Sequence, residues 1–465
     1  MENQPSQGSH PSNPRRKTRS KIQVFKEVYL PLVILAVAVA MVVGIAVGLS
    51  SCGSDPDGSK PSANHPDTQL QQEATALVEQ AQQLALSYDF DGALELLNSF
   101  SGDADEFPEL KNAINEYTAI KYHMVSWSAD QVPNLSLHVL IADLNTALAD
   151  PGHGKNGTNR YNQNFVTTDE FSAILQQLYD NGYVLVDLSD FYVSGISSYT
   201  GKEVFFEKSL LLPAGKKPIM LTETHCNYYS YMVDKDEDGQ ADKNGAGFAS
   251  KLCWNNGFYN EMVTADGSTV TGAFDLVPIL ENFIQLHPDF SYKGARAILA
   301  FSGYDGIFGY RVTSETLGGD ALAKEQTDAA KLIAHLRDTG YTMACYTYRN
   351  VDYSVKSASD IREDIQLWQE KIGPIVGQTN VLVFAWEADI GTSYDNNDKF
   401  DVLYEGGYRF FLGSTPFLSQ ETDDLYVRHN RLMVTASTLH HHGEWFAGIL
   451  DNSALLDPQR GNIPQ

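Results

Sequence analysis

Positive charge is what this sequence lacks. Across 465 residues, 33 Lys and Arg face 59 Asp and Glu, for a net charge of −26. The deficit is uneven. Six basic residues against Glu2 and Glu27 give residues 1–27 a charge of +4, leaving −30 on the remainder. A body that acidic argues against binding nucleic acid or anionic lipid through its folded part, and favours neutral or cationic ligands over anionic ones. Long uncharged runs are scarce too. Only Val28–Ser50 has 23 residues without a charge, enough for one helix to cross a bilayer core. Its basic flank lies on the N-terminal side, which predicts a cytoplasmic N-terminus and a single-pass anchor at the cell membrane, with the body extracytoplasmic. Leu49-Ser-Ser-Cys52-Gly resembles a lipoprotein processing box, the alternative route to a membrane-attached body. Cysteine is the third scarcity. Cys52, Cys226, Cys253 and Cys345 are all there is, and an exported setting makes Cys226–Cys253 the expected disulfide.

What is present is organised in blocks. Residues 1–27 are a basic tail, 28–50 the apolar anchor and 51–66 a Gly/Ser/Pro/Asp linker. From Asp67, residues Leu70, Ala74, Leu77, Val78, Ala81 and Leu84 recur at helical spacing; Tyr88–Gly92 interrupts them and a second and third segment follow. This resembles a tetratricopeptide-like pair plus one helix, a stalk over 67–125.

From Leu135 the pattern alternates strand and helix. Strands are predicted at 135–141, 183–188, 218–221, 296–301, 341–347, 381–386, 408–413 and 432–438, and helices at about 275–286, 321–338 and 358–371. Thr167-x-x-Glu170 has the spacing of a helix-capping box. Repeated β-then-α units call for an α/β fold with a parallel sheet, most naturally a barrel. Such barrels present chemistry at the carboxyl ends of their strands. The richest such end is Pro218-Ile-Met-Leu-Thr-Glu223-Thr224-His225-Cys226.

A separate loop carries Asp234, Asp236, Asp238, Gln240 and Asp242 with Gly239 at the sixth position, the opening of an EF-hand-type calcium site. The twelfth position is Gly245 rather than Glu, which predicts weaker binding. The aromatics Tyr228, Tyr229, Tyr231, Trp254, Tyr346, Tyr348 and Trp386 fall near predicted strand ends, where flat faces suit sugar rings.

The runs Lys216–Met232, His287–Ala295, Ser302-Gly-Tyr-Asp-Gly306 and Gly309-Tyr-Arg311 resemble the polysaccharide deacetylase family of carbohydrate esterases, in a membrane-anchored bacterial branch. The resemblance covers about 130–450, with 451–465 as a tail, and implies a distorted seven-stranded (β/α) barrel. It also implies a divalent metal, usually zinc, held by one Asp and two His, and an Asp as base. The matching positions here are Thr224 and His225 for the Asp pair, and Tyr346 and Asn350 for the two His. Trp386 stands in the third motif, and Ala388-Asp389-Ile-Gly391 still matches the anchored branch. A hydroxyl cannot act as the carboxylate base, and His225, Tyr346 and Asn350 make a poor zinc set. The zinc site is therefore expected to be lost, leaving a pseudoenzyme that binds cell-wall or capsular glycan. Two alternatives remain. Glu223, Glu387, Asp389 and His440 of the His440-His441-His442 triplet offer acid–base groups or displaced metal ligands for an active hydrolase of acetylated glycan. The helical stalk could instead serve a structural partner of an envelope enzyme.

Overall fold

The computed structural model describes residues 66–149, 160–230, 246–313 and 317–465. The apolar stretch 28–50, Cys52 and the acidic loop 234–242 lie outside the described residues. Among the described residues, no helix is long and apolar enough to cross a membrane.

Seven strands define the architecture: β1 Asn134–His138, β2 Lys217–Thr224, β3 Ile298–Phe301, β4 Thr342–Cys345, β5 Val381–Val383, β6 Phe410–Ser414 and β7 Val427–Met433. Each pairs in parallel with the next, β7 pairs β1, and the ring closes. Strand order is therefore sequence order. The predicted strand at 183–188 is shorter, Tyr183–Leu185, and joins only the amino end of β2, so it stays outside the ring. The predicted strand at 432–438 is observed several residues earlier, as β7.

Alternation along the strands sorts the core into two parts. Leu135, Leu137, Leu221, Leu299, Phe301, Leu382, Phe384 and Phe411 point outward into one apolar cluster with the surrounding helices. These helices include α1 Thr168–Asp180, α2 Leu276–Leu286, α3 Gly319–Thr339 and α4 Ala358–Lys371. The first is capped by the expected box, with Glu170 N bonded to Thr167 Oγ1 and Thr167 N to Glu170 Oε2. The third ends at Gly340 with φ 114°, where any Cβ would meet the Gly294 carbonyl at 2.2 Å.

The other set, Met220, Ile298, Ala300, Ala344, Val381, Val383, Phe410, Leu412 and Val427, lines the lumen. That cluster continues into three helices, Pro66–Leu86, Phe90–Asn98 and Pro108–Tyr122. Residues 66–465 form one compact unit, so the expected stalk packs on the barrel. It sits at the amino ends of the strands, in the turn before β3. There Tyr88 stacks on Tyr292 and donates to the Asp289 carbonyl, and Lys293 pairs with Asp89 at 2.8 Å. The lumen is thus plugged below and open above.

The expected Cys226–Cys253 disulfide is not formed, because the two thiols have different surroundings. Cys226 is buried against Glu223, with Sγ 3.4 Å from its carbonyl, whereas Cys253 lies on the separate strand Lys251–Trp254.

Candidate functional site at the barrel mouth

Side chains at the carboxyl ends of the strands converge on a pocket of about 490 Å³. Its lining includes His138 from β1, His225 after β2, Tyr346 after β4, Trp386 and Glu387 after β5, and Arg431 and Met433 from β7. Tyr229, Tyr304, Asn350, Arg160 and Phe165 complete most of the wall. A cleft of about 840 Å³ at the other end, beside Arg337 and Asn380, has no carboxylate, imidazole or thiol in its lining.

The backbone at the mouth is strained. His225, Asp305, Thr347, Asn350, Trp386 and Glu387 all have φ between 51° and 67° without being glycine. Each such residue costs on the order of 1–2 kcal/mol, most clearly β-branched Thr347. Their clustering just beyond β2, β3, β4 and β5 means that packing holds them there. Crowding adds to it: the Tyr348 ring lies against Gly303, where a Cβ would meet it at 2.0 Å.

Two imidazoles form the centre. His138 and Thr224 are direct partners on β1 and β2, with Nδ1 2.8 Å from the hydroxyl. Thr224 donates that hydroxyl proton to the Leu137 carbonyl, so His138 carries its proton on Nδ1 and leaves Nε2 as an acceptor. The His225 ring packs edge-on against His138 at 4.7 Å and against Tyr346 at 5.1 Å. Its Nδ1 lies 2.7 Å from the Tyr229 hydroxyl. Burial, and then the neighbouring His225 and Arg431 charges, hold His138 well below the usual imidazole range. Burial and Arg431 push His225 down to about 4. Burial pushes the Tyr346 phenol up to about 12. At neutral pH both imidazoles are neutral, and Arg431 is the fixed positive charge on the floor.

The positions of the expected site residues divide sharply. His225, Tyr346, Asn350, Trp386 and Glu387 share the pocket. Thr224 is fully buried behind His138 and orients it. Glu223 is on the opposite side of its strand. It is fully buried between β2 and α2 beside Asp275, because alternation sends it outward when Thr224 points in. Asp389 is tied to Arg428 at 2.8 Å and accepts from Tyr394. His440 is exposed on a helix, Ala436–His441, with His441 bonded to the Ile463 carbonyl and His442 stacked on Trp445. Of the aromatics, Tyr228 is buried with its hydroxyl on Asn260, and Trp254 stacks on His335. Tyr229, Tyr346 and Trp386 remain at the mouth. Tyr231 and the acidic loop lie outside the described residues.

His138 and Arg431 are site residues that the motifs do not name, whereas Tyr304 belongs to the quoted Ser302–Gly306 run. The signal for His138 and Arg431 is polar alternation: Leu135-Ser-Leu-His138 and Val427-Arg-His-Asn-Arg431-Leu-Met place every second residue in the lumen.

A divalent metal does not fit this donor set. Thr224 is sequestered, Tyr346 keeps its phenolic proton, and the Arg431 guanidinium is close enough to depress both histidines. Among the described residues, no group of three or more His, Cys, Asp or Glu could hold a metal ion.

Fold and site together define a closed seven-stranded parallel (β/α) barrel with a polar mouth built on two neutral imidazoles and one buried arginine. No family model and no curated protein matches the chain. Among solved structures it is similar to the Streptococcus pyogenes deacetylase PplD in complex with acetate. Identity is 13% and the TM-score 0.33, over 68% of this chain and 95% of that one.

Proposed function

We propose that the barrel mouth binds a carbohydrate chain of the cell envelope and does not carry out metal-dependent deacetylation. The body would be presented outside the cell by the apolar stretch 28–50. The observation that carries this reading is the contrast between rim and floor. Trp386 is 64% exposed and Tyr304 57% exposed, although large aromatics are usually covered. Trp386 is held by its Nε1–H bond to the Asn350 carbonyl and by its left-handed backbone. Such fixed, open aromatic faces suit the apolar faces of sugar rings. Below them the floor offers hydrogen-bonding groups and one cation, but no buried carboxylate to take a proton from water.

Binding of the full-length protein to N-acetylglucosamine oligomers and to isolated cell-wall glycan tests the reading. Retention of glycan, with little zinc after purification without chelator and no acetate released, is the expected result. No binding to any glycan would overturn it. A hydrolase is the second reading, supported by Glu387, a carboxylate on the same pocket wall as His225. Acetate release lost in Glu387→Gln would establish it.

A further inference from the structure

Arg431 is the least orthodox residue of the mouth. Its side chain is 1% exposed, yet every acceptor it has is neutral: Ser136 Oγ at 2.7 Å, the Phe384 carbonyl at 3.3 Å and Met433 Sδ at 3.7 Å. Its Nε has no partner. A guanidinium has five N–H donors, so these acceptors leave it under-satisfied. No ion pair among the described residues includes it. Three residues back and facing out of the lumen, Arg428 holds both Asp389 and Glu421 at 2.8 Å, and the other buried arginine, Arg460, is paired with Glu170 at 2.6 Å. The contrast matters because a buried charge is normally neutralised by a partner of opposite sign.

Resting on the glycan-binding reading above, we propose that the mouth takes an acidic sugar, with the carboxylate of a uronic acid residue recognised by Arg431. The groups around it support that choice. His138 and His225 line the same pocket and are neutral, so they add hydrogen bonds without competing for the anion. Tyr346, whose ring meets His225, supplies a hydroxyl beside them. Exposed Glu387 and Arg160 on the pocket wall carry opposite charges, which leaves Arg431 as the one buried charge that faces the ligand. A carboxylate bears one charge and has the planar geometry that a guanidinium matches, whereas a phosphate monoester brings nearly two. The aromatic rim of Trp386 and Tyr304 then receives the sugar ring. Local charge here runs against the acidity of the whole body. The preference for neutral ligands expected from net charge concerns approach, while Arg431 acts at contact.

The test uses full-length protein and four probes: a galacturonate trimer, its methyl ester, a neutral galactose trimer, and inorganic phosphate as competitor. The galacturonate trimer should bind at least about tenfold more tightly than its ester or the neutral trimer, and millimolar phosphate should not displace it. This discrimination is read on the unmodified chain, so it does not depend on any variant folding. Arg431→Gln, which keeps amide donors for Ser136 and Phe384, should abolish the preference for acid over ester while retaining weak binding of all three trimers. Equal binding of the three trimers by the unmodified chain would overturn the inference and leave glycan binding standing. Displacement by phosphate would overturn the carboxylate assignment. Failure to bind any trimer, cell-wall glycan or N-acetylglucosamine oligomer would overturn both readings.

Discussion

The Thr224 hydroxyl sits between the Leu137 carbonyl at 3.2 Å and His138 Nδ1 at 2.8 Å, joining two adjacent strands at the rim of the lumen. A threonine in this position cannot serve as a base, but it fixes the tautomer and direction of the imidazole beside it. Thr224→Val keeps the shape and removes both bonds. It should lower stability by about 1–2 kcal/mol, read from urea unfolding. Glycan affinity should fall through loss of His138 orientation, while Thr224→Ser restores both. Unchanged stability and binding in the valine variant would show that the contact orients nothing.

Trp386→Ala removes the most exposed aromatic face of the pocket without touching the barrel interior. Affinity for a bound oligosaccharide should drop about tenfold, close to 1.4 kcal/mol, with Tm nearly unchanged. Titration calorimetry on the variant and parent measures this directly. Equal affinities would exclude Trp386 from the ligand site.

Much of the framework was legible because helices and outward-facing strand positions follow simple periods. The helices expected at 275–286, 321–338 and 358–371 are observed at 276–286, 319–339 and 358–371. Strand β7 was legible only in part. Nothing local to the lumen-facing His429 and Arg431 reveals that a closed barrel surrounds them. The same parity argument, applied to Thr-Glu-Thr at 222–224, separates Glu223 from the mouth, and adjacency in sequence obscured it. The C-terminal segment is a different case. Residues 451–465 look like a tail, but Arg460 is buried against a residue 290 positions away, a pairing no local pattern announces.

That pairing gives the next prediction. Arg460 donates through Nε and Nη2 to the two carboxylate oxygens of Glu170 at 2.6 and 2.7 Å, and Glu170 also accepts from the Asp457 and Thr167 amides. Arg460→Met would strand a buried carboxylate and should cost about 3–5 kcal/mol. Truncation after Asp451 should cost at least as much. Calorimetric unfolding checks both. A change below about 1 kcal/mol in either would show that the segment is not part of the folded core.

The last prediction concerns pH. Glu223 and Asp275 are fully buried side by side behind β2, and Glu223 Oε1 and Asp275 Oδ2 have no other partner. Asp275 is anchored by the Leu140 amide at 2.9 Å. Burial, reinforced by Asp275, pushes the Glu223 carboxyl well above its ordinary value, so Glu223 holds the proton that the pair shares. Because the folded state binds this proton more tightly than the unfolded chain, its contribution to stability is fully present below the ordinary glutamate range. It is lost as pH rises towards the raised folded-state value, at up to about 1.4 kcal/mol per pH unit. Glu223→Gln replaces the shared proton with an amide donor at nearly constant shape. The variant should match the parent near pH 4.5, exceed it in Tm at pH 8, and show a flatter dependence between those limits. Asp275→Asn leaves the Leu140 amide bonded through its carbonyl oxygen and should narrow the window without abolishing it, because burial still holds Glu223 up. A Tm difference between parent and glutamine variant that stays constant from pH 4.5 to 8, or a glutamine variant less stable at pH 8, would mean that Glu223 is ionised in the folded protein.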